Sequence, residues 1–330
     1  MNKIKYFIVG IFILLILVAS GAFFSGHFSK PPVIQPQIYK VKIGYMPFTT
    51  NWPVFLASEG GLFKKEGLDV TLVKFNSGVL GADALIKGDI AAFSINTFTD
   101  IFNIQARTPG AFQIYTLEQS SNSDHGEALI VRKDSNIKTI QNLKGKKIGI
   151  NPGTFVEAVI KQAYKDELNF SKDATLIKIS PPLQLQALQS GQIDALLAQE
   201  PSITLALKTN MANILDSHPW GKVAEPFPVG GVTLSTKVIQ SNPDIINKIA
   251  KAFKASILLG RSNPQEIKNA VLRFVKLSPD EIAQLNYDEE LVGEELKLDT
   301  LSNAAKLYYD LGITTSLVDT KNMLYVLKNN

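Results

Sequence analysis

The chain has 330 residues, of which 45% are hydrophobic and 19% charged, a composition typical of globular proteins. At ~150 residues per domain this length predicts about two domains. The formal net charge is +4 with acids and bases interspersed, which argues against a nucleic-acid partner. Cysteine is absent, so disulfides, thiolate metal sites and cysteine nucleophiles are excluded, and three histidines far apart in the sequence indicate no metal site.

The N-terminus predicts export. Lys3 and Lys5 precede an uncharged apolar run, residues 6–24, which suits either the core of a signal peptide or a membrane anchor of ~20 residues. A cleavage site is conceivable at 19–21, and the lysines before the run place the bulk of the chain outside the cytoplasm. Residues 1–24 are therefore predicted to be a signal peptide or anchor. Residues 25–39 contain three prolines and are predicted to be a stiff linker.

An internal repeat follows the linker. A short apolar strand that ends in a proline-containing turn occurs twice, at 42–47 and again at 147–152. Each copy continues with a helical pattern, a second strand, a second helix and a third strand. The first helical pattern is predicted at 52–66 and 155–168, and the second strand at 68–75 and 174–179. The last helix and strand, 84–93 and 187–196, match closely in sequence. Gly88 and Gly191 stand where a helix end needs positive φ. The repeat predicts two β-α-β-α-β units with mostly parallel sheets.

The rest of the chain supplies joints and helices. Strand-like runs at 128–132 and 230–235 lie after the first and second units. The C-terminal third contains no complete third unit, so we expect it to return to the first lobe. Its helices are predicted at 244–260, 264–276, 279–285 and 297–311, the third of them opening on a Ser-Pro-Asp-Glu start signal.

At this point the sequence resembles the nitrate/sulfonate/taurine-type solute-binding proteins of ABC importers, which belong with the type II periplasmic binding proteins. The resemblance covers roughly residues 40–311 and is strongest in the run Gly61–Val70. Many relatives are lipoproteins, but Ser20 stands at the position of their lipidated cysteine, so lipidation is excluded. The other runs that carry the resemblance are 51–53, 76–78, the two Ala-Leu-x-x-Gly-x-Ile runs, 143–149 and Glu200-Pro201.

The resemblance implies a fold and a set of partners. It implies an α/β, two-lobed type II periplasmic binding protein fold, each lobe a mixed, mostly parallel sheet flanked by helices, with two crossover strands between them. Residues 40–127 plus 228–330 would form lobe 1, and 128–227 lobe 2. The partners would be a small-molecule ligand, ABC permease subunits and, through the N-terminal segment, the membrane. We expect a monomer in the periplasm or at the cell surface, without cofactor, metal or nucleic acid.

Ligands of open α/β sheets bind beyond the carboxyl ends of the strands, where helix N-termini offer free backbone N–H groups. The turns at these ends are predicted at 47–53, 76–78 and 95–98 in the first lobe, and at 151–155 and 199–202 in the second. The candidate ligand-binding residues are Asn51, Trp52, Ser77, Gly78, Asn96, Thr97, His125, Thr154, Phe155 and Glu200.

Several of these residues have an alternative structural role. Trp52 is interpreted as an aromatic wall of the cleft, with a hydrophobic anchor as the alternative. Ser77 and Thr154 suit helix capping as well as ligand contact. His125 fits a solvated loop better than a ligand contact. Glu200 either caps a helix or pairs with an amine of the ligand.

The arginines bear on the charge of the ligand. None of them falls in the predicted cleft turns, so bidentate capture of a carboxylate or phosphate is not indicated. Aromatic residues do occur there, which favours a small organic ligand, of sulfonate, taurine or nitrate type or pyrimidine-like. The four arginines are Arg107, Arg132, Arg261 and Arg273.

Two other function classes compete with transport. A membrane-tethered sensory domain would have the same lobes. An enzyme resembling the thiamine-pyrimidine synthases would share the fold, but that family relies on a histidine and a cysteine-rich segment, and this chain has no cysteine. The sequence shows no Ser/His/Asp set and no pair of carboxylates arranged for catalysis, so we predict a binding protein and not an enzyme.

Overall fold

A computed structural model describes residues 37–327. The predicted signal peptide or anchor, and nearly all of the predicted linker, lie outside the described residues. Within 37–327, none of the helices combines the length and the apolar character needed to cross a bilayer. From Ile38 onward the described chain forms one compact unit.

The described chain contains two β-sheets flanked by helices. The strands are β1 Tyr39–Tyr45, β2 Leu68–Lys74, β3 Ala92–Thr97, β4 Phe112–Ile114, β5 Thr116–Ser120, β6 Glu127–Arg132, β7 Lys146–Ile150, β8 Ala174–Lys178, β9 Ala195–Gln199, β10 Ala212–Asp216, β11 Phe227–Ser235 and β12 Glu289–Val292. The helices are α1 Trp52–Glu59, α2 Leu62–Lys65, α3 Gly78–Lys87, α4 Phe98–Arg107, α5 Thr154–Ala163, α6 Pro181–Gln189, α7 Ser202–Lys208, α8 Thr236–Ser241, α9 Pro243–Ser262, α10 Pro264–Phe274, α11 Pro279–Ala283 and α12 Leu298–Asp310.

The first sheet runs in the order β12-β5-β11-β3-β1-β2, with β4 also beside β11. β1 pairs in parallel with both β2 and β3, while β11, β5 and β12 add antiparallel strands at the β3 side. The second sheet runs in the order β10-β6-β9-β7-β8. There β7 pairs in parallel with β8 and β9, and β6 is antiparallel to β9.

The two sheets repeat one arrangement, as the internal repeat predicts. In each, the first strand of the unit lies between the second and the third. The register agrees as well: Ile43 pairs with Ala92 in the first sheet, and Ile148 pairs with Ala195 in the second. The mixed α/β fold with two sheets flanked by helices is therefore confirmed.

Local signals place most helix ends well. The pair Gly60-Gly61 separates α1 from α2, so the helical segment predicted over 52–66 is interrupted there. Gly88 and Gly191 have φ of 77° and 75°, the left-handed region that favours glycine. Ser278 accepts from the backbone N–H of Glu281, which closes a capping box at the start of α11. The helix predicted over 155–168 ends earlier, at Ala163.

The connections between the sheets are short. The chain passes from the first sheet to the second in residues 121–126 and returns in 217–226, in each case just before a strand predicted as a joint. Helices α9 and α10 pack against α1, and all three contribute to one hydrophobic core beside β1. Helices α9 and α10 thus pack on the first sheet.

Candidate ligand-binding site

A cavity of about 320 Å³ lies between the carboxyl ends of the two sets of parallel strands, which we call cavity 1. The first sheet contributes Phe48 and its neighbours after β1, and Thr97 at the end of β3. The second sheet contributes Asn151 after β7 and residues 199–202 after β9. Ligands of open α/β sheets bind in this position, because strand ends and helix N-termini converge there.

A second cavity of about 330 Å³, cavity 2, adjoins the first. It extends to the N-terminus of α5, where Thr154 and Phe155 line it, and to Tyr308 of α12. The two cavities share a wall, which consists of Thr97, Asn151, Gln199, Trp220 and Val229. Together they form one cleft that residues from both sheets enclose.

A chain of amide side chains lines the second-sheet side of cavity 1. Asn151 donates from Nδ2 to Oε1 of Gln199 at 2.7 Å. Gln184 donates from Nε2 to Oδ1 of Asn151 at 2.6 Å and to the carbonyl of Ile179 at 3.0 Å. These bonds hold the amides in fixed orientations, so the polar surface that this wall presents to a ligand is preorganised.

An aromatic cluster lies where the two sheets meet beside cavity 2. The ring of Phe155 is 5.8 Å from that of Tyr308 in stacked geometry and 5.4 Å from that of Trp220, edge to face. Phe227 completes the cluster at 5.9 Å from Phe155. Such aromatic pairs contribute about 0.5–1.5 kcal/mol each beyond the area they bury, so this contact helps to hold α5 against α12.

Carboxyl groups lie in and beside the wall of cavity 1. Glu118 on β5 and Asp288 just before β12 both line it, and Glu290 lies opposite Glu118 in the antiparallel pair. Burial, followed by the charge of Glu127, raises the pKa of Asp288 to about 7. Burial raises the pKa of Glu290 to about 8, and it raises that of Glu118 well above its usual range.

A further carboxyl group, that of Glu200, lines cavity 1 from the second sheet. It accepts from the backbone N–H of Thr204 at 3.1 Å and from the Thr204 hydroxyl at 3.0 Å. It therefore stabilises the start of α7, the role that its position before Pro201 predicts. Burial nevertheless raises its pKa, so ionised Glu200 is incompletely compensated.

Three residues that line cavity 1 carry a buried polar atom without a hydrogen-bond partner in the described part of the chain. They are Glu118 with Oε2, Tyr287 with its hydroxyl and Trp220 with Nε1. Buried polar groups in proteins are nearly always paired, and an unpaired one costs about 1–3 kcal/mol. Each of these three atoms would therefore gain from a hydrogen bond to a molecule in the cavity.

The structure brings some of the predicted site residues together. Thr97, Thr154, Phe155 and Glu200 all line the cleft. Thr97 also caps α4, since its hydroxyl accepts from the backbone N–H of Asp100 at 3.3 Å. Capping and cleft lining thus coincide at this position.

Trp52 is placed elsewhere. Its side chain is only 3% exposed and packs in the core of the first sheet, so close to Gly260 that a Cβ there would lie 2.6 Å from the ring. It lines neither cavity. Trp52 is therefore not a half-solvated wall of the cleft. It has the alternative role, that of a hydrophobic anchor at the start of α1. Asn51 beside it is fully buried and accepts from the backbone N–H of Met46 at 3.4 Å.

The remaining candidates lie behind the cleft. Ser77 and Gly78 begin α3 without lining either cavity, and a Cβ on Gly78 would meet Asp100 at 2.6 Å. Asn96 is fully buried under Thr97 and also lines neither cavity. His125 stacks on His218 at 4.8 Å and contacts the carbonyl of Ser121, so it belongs to the connection between the sheets.

Several cleft residues were not anticipated from the sequence. The unforeseen ones are Glu118, Gln184, Trp220, Asn286, Tyr287, Asp288 and Tyr308. Glu118, Tyr287 and Asp288 lie in segments whose sequence predicts neither a strand nor a turn. No local signal marks the acids among them, because Glu118 precedes a polar run and Asp288 opens an acidic one.

The buried carboxyl groups predict that the protein becomes less stable as pH rises. Asp288, Glu290 and Glu118 have pKa values above those of an unfolded chain, so the folded state binds more protons between about pH 4 and 8. We expect the melting temperature to fall by about 5 °C or more between pH 5.5 and 8.5, measured by calorimetry without ligand. Glu118→Gln should flatten this dependence; a stability that rises over the same range would contradict the assignment.

The architecture and the sequence both match known proteins. Two joined sheets with a cleft at their carboxyl ends define the periplasmic binding protein fold. The chain belongs to the NMT1/THI5-like family, whose model matches residues 49–267. A curated relative from Bacillus subtilis, named as an aliphatic sulfonates-binding protein, is 23% identical over 291 residues, which are 86% of this chain and 84% of the relative.

Solved structures share the fold at low identity. The periplasmic aliphatic sulphonate binding protein SsuA from Escherichia coli superposes with a TM-score of 0.70 at 19% identity, over 88% of this chain and 93% of that chain. The desulfurization enzyme DszB superposes with a TM-score of 0.69 at 15% identity, over 87% and 96%. Because an enzyme and a binding protein fit comparably well, the fold alone does not separate binding from catalysis.

Proposed function

We propose that this chain is an extracytoplasmic solute-binding protein that closes two lobes around a small organic ligand and delivers it to an ABC importer. The observation that carries the proposal is the cleft itself, which residues from both sheets enclose at the carboxyl ends of their strands. Burial between two lobes removes the ligand from water and surrounds it with fixed dipoles, which suits capture without chemistry.

The proposed lobes follow the sheets. Residues 40–127 with 228–330 would form one lobe and 128–227 the other. All strands of the first sheet fall within 39–120 and 227–292, and all strands of the second within 127–216, which supports this division. The two short connections between the sheets are then the hinge about which the lobes would move.

Location and partners are part of the same proposal. The basic and apolar N-terminus supports export, and the periplasmic binding protein fold supports a place outside the cytoplasm. We propose a monomer that meets ABC permease subunits at the membrane, either secreted or tethered there. Cell fractionation tests the location, and a chain that stays in the cytoplasm would contradict it.

We propose binding without catalysis. The relative from Bacillus subtilis is named as a binding protein, and the chain has no cysteine that could act as a catalytic nucleophile. Within residues 37–327, no group of three or more histidine, aspartate or glutamate side chains is arranged to hold a metal ion. These observations favour capture over a reaction, and the fold permits either.

The test is ligand-dependent stabilisation of the purified protein. A ligand that binds only the folded state raises the free energy of unfolding, by about 2.7 kcal/mol at a hundred times its dissociation constant, and the melting temperature rises with it. We expect at least one compound to do so in a screen of sulfonates, taurine, nitrate, pyrimidines, flavins and amines, and to be recovered unchanged by NMR. Conversion of that compound to a product would replace transport by catalysis.

A further inference from the structure

Cavity 1 has an unusual charge balance. Its lining residues include three carboxylic acids, Glu118, Asp288 and Glu200, and among the described residues that line it there is no lysine, arginine or histidine. A site for a sulfonate or a carboxylate would present cations or unopposed N–H groups. Among the residues with charged side chains, this wall contains acids only.

The cations nearest to these acids already have partners. Arg261 donates to Oε1 of Glu295 at 2.7 Å and to Oε2 at 2.8 Å, and also to the carbonyl of Glu290. His218 contacts Glu127 at 2.7 Å and Glu225 at 2.9 Å. Neither side chain lines cavity 1. A positively charged group in the cavity would therefore supply the counter-charge that ionised Glu118 and Asp288 lack within its wall.

Glu118 adds a second, independent observation. Its side chain is only 2% exposed, and its Oε2 has no hydrogen-bond partner within residues 37–327 although the residue lines the cavity. A buried carboxylate oxygen is costly unless it meets a donor or a cation. Glu118 thus has an unused hydrogen-bonding position in a residue that lines the cavity.

The other walls suit the body of such a ligand. Phe48, Tyr287 and Trp220 line the same cavity, and aromatic faces attract organic cations as well as apolar groups. The hydroxyl of Tyr287 and the indole N–H of Trp220 have no partner in the described chain, so they can also bond to polar atoms of the ligand. A volume of about 320 Å³ accommodates a compact organic molecule.

We propose that the solute carried by this protein is a small organic cation, an amine or a protonated heterocycle, whose charged group sits against Glu118 and Asp288. This inference rests on the proposed solute-binding function and names the chemical class of its ligand. It also departs from the anionic ligand that the sulfonate-type resemblance implies.

The experiment compares ligands that differ only in charge. The probes are three sets with benzyl, phenethyl and butyl bodies, each as a primary amine, an alcohol and a sulfonate, and each is added to the full chain in a thermal-shift assay followed by calorimetric titration. We expect the amines to raise the melting temperature. In the titration, the matched alcohols and sulfonates should bind with affinities at least about tenfold lower than those of the amines.

Two variants connect the effect to the site. Glu118→Gln keeps the shape and removes the charge, and it should weaken amine binding by at least about tenfold, because one partner of a buried charge pair is lost. Asp288→Asn is a second test of the same kind in case either variant fails to fold. Glu294→Gln removes one charge from an exposed residue outside the cavity and should leave the affinity unchanged.

Each outcome decides something. Sulfonates that bind more tightly than amines would overturn the inference and leave the solute-binding proposal intact. Equal binding of amines and alcohols would overturn it too, because the carboxyl groups would then act as neutral donors. If no probe of any charge stabilises the protein, the inference is overturned, and the wider screen of sulfonates, taurine, nitrate, pyrimidines and flavins decides the solute-binding proposal separately.

Discussion

Replacing Trp52 by alanine is expected to lower the free energy of unfolding by about 3–5 kcal/mol while leaving the ligand affinity of the folded protein unchanged. The indole ring is 3% exposed in the core between β1, α1 and α9, and it does not line the cleft. Its truncation therefore opens a cavity in the core and removes no contact from the ligand. Urea unfolding gives the first quantity and calorimetric titration the second.

Controls for this prediction come from the same contact. Trp52→Phe keeps most of the packing and should cost much less than Trp52→Ala. Gly260→Ala should destabilise from the opposite side, because its Cβ would meet the Trp52 ring at 2.6 Å and Ile267 at 3.0 Å. A Trp52→Ala protein with near-normal stability and weakened binding would return Trp52 to the site.

The second large effect is expected at His218. This side chain bridges two acids, with Nδ1 at 2.7 Å from Glu127 and Nε2 at 2.9 Å from Glu225. Glu127 is 1% exposed and has the hydroxyl of Ser120 as its other partner, at 2.8 Å. His218→Ala leaves a buried carboxylate without its cation, so we expect a loss of about 3–5 kcal/mol in urea unfolding.

A double substitution separates charge from packing. Glu127→Gln removes the buried charge, and in that background His218→Ala should cost clearly less than it does alone. The Glu127 interaction raises the pKa of His218, so the ion pair stabilises fully below about pH 6.5 and its contribution is lost as pH rises through the raised value. The difference between wild type and His218→Ala should shrink accordingly, and a difference that grows with pH would exclude the ion pair as its cause.

The fold was largely predictable because it rests on local, repeated signals. Apolar strands followed by helical patterns, and glycines that need positive φ such as Gly88 and Gly191, report on backbone conformation without knowledge of distant contacts. The strands β5 and β12 were not predicted, since their sequences, Thr-Leu-Glu-Gln-Ser and Glu-Glu-Leu-Val, lack the apolar run that indicates a buried strand. Their burial depends on pairing between segments far apart in the chain, which periodicity does not encode.

The site was predictable only in part, for a related reason. The turns after β1, β3, β7 and β9 follow from the rule that ligands bind beyond strand ends, and each contributes to the cleft. Asn286, Tyr287 and Trp220 reach the same place from connections whose position depends on the tertiary fold. Trp52 was misplaced because a turn residue at the start of a helix can face either the cleft or the core, and the sequence does not distinguish them.

The two tryptophans give this protein a built-in optical reporter. Trp220 is only 1% exposed but forms part of the wall shared by both cavities, so its emission should respond to a solute bound against it. Trp52 is sealed in the core and supplies a constant background. A chain in which phenylalanine replaces Trp52 would carry a single emitter at the cleft, and capture of a solute could then be followed in real time by intrinsic fluorescence, without any attached dye.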